Sequence, residues 1–215
     1  MAQFIKNNIK TISHTDEDYP KEFLAIGKEK PLSVYCLGNM DLLHQEHKVA
    51  IIGARKADRK GDETAYKLGA QYAKKGYVIV SGLALGCDAA AHRGCLDADG
   101  KTIAIVGTGL DLVFPKENEA LQNEILRKGG LVISEQPFGV KASGQTLVAR
   151  NRLQAALSEL VIVAQCPLKS GTIHTVHFAQ RYGKSVQAVA FNYWNDFNAG
   201  NRYLIEEENV TALKL

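Results

Sequence analysis

Nothing in this sequence approaches the roughly 18 consecutive apolar residues that a membrane-spanning helix requires, and its opening, MAQFIKNNIK, lacks the apolar core of a secretion signal. A cytoplasmic protein with no membrane partner is therefore expected. Its four cysteines, Cys36, Cys87, Cys95 and Cys166, form no CxxC pair and no zinc-like spacing, so reduced thiols and no metal are expected. Net charge is also small: 26 Lys and Arg against 23 Asp and Glu leave +3, which excludes a histone-like polycation. An anionic partner must then be met by a local patch. No GxxxxGK[ST] is present, which removes an ATP-hydrolysing P-loop. The GTG at Gly107 to Gly109 is no dinucleotide fingerprint either, because its third glycine falls on Leu112. Ser81, Ser134 and Ser158 sit in no GxSxG elbow, and no cofactor is expected.

What is present is a rhythm. From residue 49 onward, apolar runs alternate with longer segments of helical spacing. The runs are Val49 to Ile52, Tyr77 to Val80, Thr102 to Val106, Leu131 to Ile133, Leu160 to Val163 and Ser185 to Val189. Asp62 to Lys75, Asp88 to Asp97, Glu117 to Lys128, Ala149 to Ser158 and Gly171 to Tyr182 have helical spacing. Runs such as IAIV and LVIVA are apolar at every position, as strands are when helices cover both faces of a parallel sheet. The pattern predicts a doubly wound, mainly parallel α/β core over 49–215. Residues 1–48 lack this rhythm and read as a short N-terminal cap, a helix followed by an extended segment. A short helix and a last strand are expected near the C-terminus.

Each strand end is followed by a loop of small residues: Gly53 to Arg55, SGLALG at 81–86, VGTG at 106–109 and KSGT at 169–172. In an open α/β sheet such loops gather at the carboxyl edge, where helix N-termini offer unpaired N–H groups to anions. One glycine turn means little; four on one edge argue for an anion site. ARKADRK at 54–60 adds four cations against one acid, and 137–153 adds Lys141, Arg150 and Arg152 with no acid. Arg55 stands where a side chain reaches over the sheet edge, or it is a solvated turn residue. Arg150 and Arg152 flank Asn151 at the start of a predicted helix, a place cations avoid unless an anion or a neighbouring acid compensates them. Lys169, Ser170, Gly171 and Thr172 together offer ammonium, hydroxyl and N–H donors to one phosphate. His92 and His174 lie inside helical segments without a carboxylate partner and read as structural.

Taken in order, VAIIGAR (49–55), SGLALGCDAAAH (81–92), TIAIVGTGLDLVFP (102–115), SEQPFG (134–139), ARNRLQAALS (149–158) and KSGTIHT (169–175) resemble the DprA/Smf family of DNA-processing proteins. The segments Tyr19 to Asn39 and Gly200 to Leu213 are similar to that family's lead-in and closing stretches. The resemblance implies a Rossmann-like core that binds single-stranded DNA without catalysis, protects incoming strands in natural transformation and helps load RecA. It also implies a homodimer and phosphate contacts from Arg55, the Arg150–Asn151–Arg152 motif and the Ser170–Gly171–Thr172 loop, with Lys141 and Lys169 as weaker contacts. Three departures stand out: Ala54 replaces a usual serine, Leu85 a frequent base, and the flanking N-terminal helical and C-terminal winged-helix-like domains of many members are expected to be absent. The rival reading is an enzyme of the nucleoside monophosphate phosphoribohydrolases, or a nucleotide sensor. Those enzymes carry PGGxGTxxE, whereas this chain reads PLKSGTIHTVH at 167–177, with no acid at the glutamate position.

Overall fold

The computed structural model describes residues 8–215. The first seven residues, MAQFIKN, of the segment read for a secretion signal lie outside them. One sheet of nine strands runs in the order β1 (Ile9–Ser13), β2 (Ser33–Gly38), β6 (Leu131–Ser134), β5 (Thr102–Ile105), β4 (Val78–Ser81), β3 (Lys48–Ile52), β7 (Leu160–Val163), β8 (Ser185–Val189) and β9 (Thr211–Leu213). The seven strands from β3 onward are parallel. The six predicted runs are six of these, and the expected last strand is β9. The extended segment of residues 1–48 is β2. It pairs antiparallel with β6, and β1 pairs antiparallel with β2, so both extend the same sheet.

Between the strands lie α1 (Lys21–Leu24), α2 (Arg59–Lys74), α3 (Cys87–Asp97), α4 (Glu119–Arg127), α5 (Gly144–Ala149), α6 (Asn151–Leu157), α7 (Gly171–Arg181) and α8 (Ala199–Glu206). Helix α2 begins earlier than its apolar spacing predicts because Asp58 caps it, its Oδ1 accepting from Gly61 N at 2.7 Å. The single turn α5 was not anticipated. Ser143 and Thr146 close it with reciprocal side-chain-to-backbone bonds, a capping box with threonine in the usual Glu or Gln place.

Strand residues alternate between two covered faces. Ala50, Ile52, Val161 and Val163 face a cluster with Leu153 and Leu157 of α6 and Val176 of α7. Val49, Ile51 and Ile162 face Ala65 and Leu68 of α2 and Cys87, Ala91 and Cys95 of α3. Each fully buried Leu or Ile contributes about 1.5 to 3 kcal/mol. All four cysteines are buried free thiols, and burial pushes those of Cys36, Cys95 and Cys166 up to about 12. Among the described residues, no helix is long and apolar enough to cross a membrane, and no group of three or more His, Cys, Asp or Glu could hold a metal ion.

Helices α2 and α3 touch backbone to backbone. A Cβ on Gly69 would lie 2.2 Å from Ala91 O, and one on Gly94 would lie 2.0 Å from Tyr66 O. Gly69→Ala must push the helices apart and is expected to cost about 1 to 3 kcal/mol in urea unfolding. Gly144→Ala, where nothing stands within 4 Å, is expected to stay within about 0.5 kcal/mol. Equal urea midpoints for the two variants would rule out tight α2–α3 packing as a constraint.

Candidate nucleic-acid interface

The chain leaves β3 toward β4 on one side, and β7 returns to pair with β3 on the other. The loops after β3 and β7 diverge to opposite faces, and a crevice opens between them at the carboxyl edge. It encloses about 350 Å³. Its walls include Gly53, Ala54, Arg55 and Lys56 after β3, Ala84 and Asp88 after β4, Arg150 and Asn151 at the α5–α6 junction, and Lys169 to Thr172 after β7.

Three contacts hold these loops in place. Ala54 N donates to Gln165 O at 2.8 Å, Gln165 Oε1 accepts from Asp58 N at 3.1 Å, and Gln165 Nε2 donates to Asp58 Oδ1 at 2.9 Å. The β3 and β7 loops are thereby clasped at the switch point. The turn after β4 closes against them through Gly86, at φ +71, where a side chain would also meet Ala54 O at 2.3 Å. Gln165 and Asp88 were not singled out from the sequence; a glutamine ending an otherwise apolar run and an acid at a helix start were the available signals.

Arg150 lies at the centre of the cleft. It is 4% exposed, and its Nη2 is 3.7 Å from Asp88 Oδ2. A Cβ on Gly82 would stand 1.4 Å from Arg150 Nη1, so only glycine leaves room for the guanidinium. Arg150 Nε and Nη1 are buried and have no hydrogen-bond partner in the protein. Two unpaired donors on a buried cation cost at least about 1 to 3 kcal/mol each. Burial drives Arg150 below its ordinary value and Asp88 above its own, while their mutual attraction opposes both shifts; the charge of nearby Arg55 lowers Arg150 further. Asp88 also accepts from Gly82 N at 3.2 Å.

Of the nine candidate residues, seven converge here: Arg55, Arg150, Asn151, Lys169, Ser170, Gly171 and Thr172. Arg55 and Lys169 are exposed at the rim. Ser170 caps α7, its Oγ accepting from Thr172 N at 3.2 Å, and Asn151 Nδ2 reaches Gly171 O at 3.4 Å. Nothing stands within 4 Å of a Cβ on Gly171, so the first turn of α7 is open to a ligand. The other two lie elsewhere. Arg152 satisfies the neighbouring-acid alternative: its Nη1 and Nη2 fork onto Glu135 at 2.7 and 2.5 Å, and its Nε donates to Glu29 O at 2.7 Å. Lys141 is exposed on the loop before α5, outside the cleft lining. Arg150 also does not precede a free helix end: its N–H donates to Thr146 O, and it joins α5 directly to α6. The VGTG loop packs instead of binding, with Gly107 against Thr146 O and Leu147 and Gly109 against Pro137 O.

A smaller apolar groove of about 190 Å³ adjoins the cleft, lined by Leu85, Phe114, Pro115 and Leu147 and sharing Arg55 and Arg150. The sequence model of the family DNA recombination-mediator protein A matches residues 10–214. The chain belongs to that family.

Among its relatives, Protein Smf of Synechocystis is 38% identical over 186 residues, 84% of this chain and 46% of that one. DNA processing protein DprA of Streptococcus pneumoniae is 38% identical over 92% of this chain and 68% of its own. The chain thus spans less than half of the first relative and about two thirds of the second. The crystallographic S. pneumoniae DprA superposes with a TM-score of 0.88 at 35% identity, covering 98% of this chain and 73% of that one. DNA processing protein A from Helicobacter pylori, whose structure concerns its single-stranded DNA binding mode, superposes at 0.83 with 32% identity, covering 95% and 90%. A molybdenum cofactor binding protein from Rippkaea orientalis shares the fold at 21% identity and a TM-score of 0.56.

His92 of α3 lies fully buried. Its Nδ1 donates to Thr102 Oγ1 at 2.7 Å, since that hydroxyl already donates to Ile79 O. Burial, with the charges of Arg150 and Arg93 adding, lowers it to about 3. The imidazole is neutral when folded and protonates near 6.5 when unfolded, so the unfolded chain binds the extra proton. Stability is whole above pH 6.5 and falls as pH drops toward 3. Between pH 7 and pH 5 the loss from this residue is about 2 kcal/mol. His92→Asn, which keeps a donor toward Thr102, is expected to abolish that part of the pH slope in chemical unfolding; a slope equal to the parent's would exclude His92 as its source.

Proposed function

We propose that the protein is a non-catalytic single-stranded DNA-binding mediator of recombination, acting in the cytoplasm on DNA taken up in natural transformation. The observation that carries this reading is Arg150, a buried guanidinium with two unpaired donors in a cleft it shares with Arg55, Lys169 and the open first turn of α7. Such a site fits a phosphodiester: charge-assisted donors, backbone N–H groups and a helix end converge on one anion. The apolar groove beside it suits the base or sugar that a phosphodiester brings along. A single strand can enter a crevice that a stiff duplex cannot follow. Family membership and the H. pylori relative's binding mode support the same reading. Protection of the bound strand, its transfer to RecA and a homodimer that extends the track complete the proposal.

The enzyme reading has less support. Asp88 is the one acid among the described residues lining the cleft, and it is buried against Arg150 rather than free to act as a base. At 167–177 the chain offers no glutamate.

Gel-shift titrations with a single-stranded oligonucleotide, its duplex and a mononucleotide at fixed salt test the proposal. Tighter binding of the single strand is expected; equal affinity for both DNA forms counts against it. Tight mononucleotide binding with weak DNA binding would install the sensor, and release of free base the hydrolase. Arg55→Ala should weaken binding and lower the log–log salt slope by about 0.7, the value for one neutralised phosphate on a single strand.

Gly171→Asp should abolish DNA binding while leaving the fold intact. The site has room for the side chain, and an acid at a helix start favours the helix, so only the phosphate is repelled. Thermal unfolding checks the fold. A folded Gly171→Asp protein with parental DNA affinity would move the phosphate site away from α7.

A further inference from the structure

The segment between β8 and α8 carries Tyr193, Trp194 and Phe197 at 44%, 36% and 45% exposure, and Leu168 on the neighbouring β7–α7 loop is 53% exposed. Large apolar side chains gathered at one exposed place mark an interaction surface. Their exposure is not a failure of the loop to fold, because the loop is held from within. Asn198, fully buried, accepts from Asn195 N at 2.8 Å and donates to Tyr193 O at 3.1 Å, and Asn195 Oδ1 accepts from Phe197 N at 3.0 Å.

The loop is anchored at the cleft. Buried Asn201 accepts from Cys166 N at 2.7 Å and donates to Val163 O and Val189 O, and Gly200 N donates to Cys166 O at 2.9 Å. The residues that follow Cys166 are Pro167, Lys169 and Ser170 of the cleft wall. At the other end of the loop, Phe191 packs on the same buried cluster as Ala57, within the basic segment of Arg55, Lys56, Arg59 and Lys60. Lys56 and Lys60 are exposed there, and Asp196 is the acid within the aromatic loop. Outward aromatic rings next to a cationic channel are what a single strand requires, cations following its backbone and rings stacking its bases.

We propose that the 193–197 loop is a base-stacking surface, centred on Trp194, that receives the nucleotides of a single strand as they leave the phosphate cleft. The proposal rests on the single-strand reading of that cleft. The charge beside the rings favours DNA over a protein partner or a second copy.

Trp194 is the single tryptophan of the chain, so its fluorescence reports this surface alone. The test uses oligo-dT of about 20 nucleotides, longer than the 4 to 16 that one binding fold covers, and an abasic strand of the same length. Oligo-dT is expected to quench Trp194 and the abasic strand to leave it unchanged. Trp194→Ala should weaken oligo-dT binding about five- to hundred-fold while leaving abasic affinity and the salt slope at the parent's values, and Trp194→Phe should recover most of the loss. Binding of both strands with unchanged emission and a Trp194→Ala variant as tight as the parent would overturn the stacking surface alone. A parent that binds neither strand would overturn the cleft reading with it. Emission that changes with protein concentration and not with DNA would assign the rings to a contact between copies.

Discussion

Parallel pairing of β3 with β7 is the constraint on which the site depends. Because β4 occupies the other edge of β3, the chain reverses its direction across the sheet at that line, with Ile52 opposite Val163. The loops after these two strands cannot lie side by side over one face, since α2 and α7 cover opposite faces. A crevice results, and the Gln165–Asp58 clasp with the Ala54-to-Gln165 bond fixes its width. Slippage of β7 by one residue would exchange the side chains packed against the two different helix layers, so core packing enforces the geometry of the cleft.

Within this frame, Arg150 runs against stability. It is buried, two of its donors are unpaired, and its counter-ion Asp88 is itself raised by burial. Departures of this kind from local optimality concentrate where function requires them. The neighbourhood is shaped around it: Gly82 leaves room, the α5–α6 junction holds its backbone, and neutral His92 adds no charge beneath it. Arg152, two residues on, is the contrast. Its fork is fully engaged by Glu135, and with Glu29 O it ties α6 to the segment before β2. One motif thus supplies a cleft cation with unpaired donors and a structural brace, and helix geometry separates them, since residues two apart on a helix face different sides.

The carboxyl edge places a cationic cleft beside apolar and aromatic groups. In the proposed reading, cations and backbone donors at the ends of β3 and β7 would meet phosphate, a contact indifferent to sequence and sensitive to salt. Apolar and aromatic groups beside them, Phe114 and Leu85 on one side and the 193–197 loop on the other, would meet bases through area and stacking in the same reading. The brace around Arg152 stands outside the cleft lining.

The sequence alone determined six of the parallel strands and, apart from α5, the helices between them, because a strand covered on both faces tends to be apolar at every position and that is visible locally. It also determined which loops are rich in glycine and cations, and the ordered motifs that mark the family. Tertiary structure decided what no local pattern encodes. Strand β2 lies antiparallel beside β6, a partner distant in the chain, and carries β1 into the sheet with it. The VGTG loop, equal to the others as a string, packs against α5 and closes. Arg150 lines the cleft and Arg152 meets a carboxylate, although both are arginines beside one asparagine. Each of these outcomes depends on where a distant acid, strand or backbone carbonyl stands, and only the folded chain brings those groups within reach.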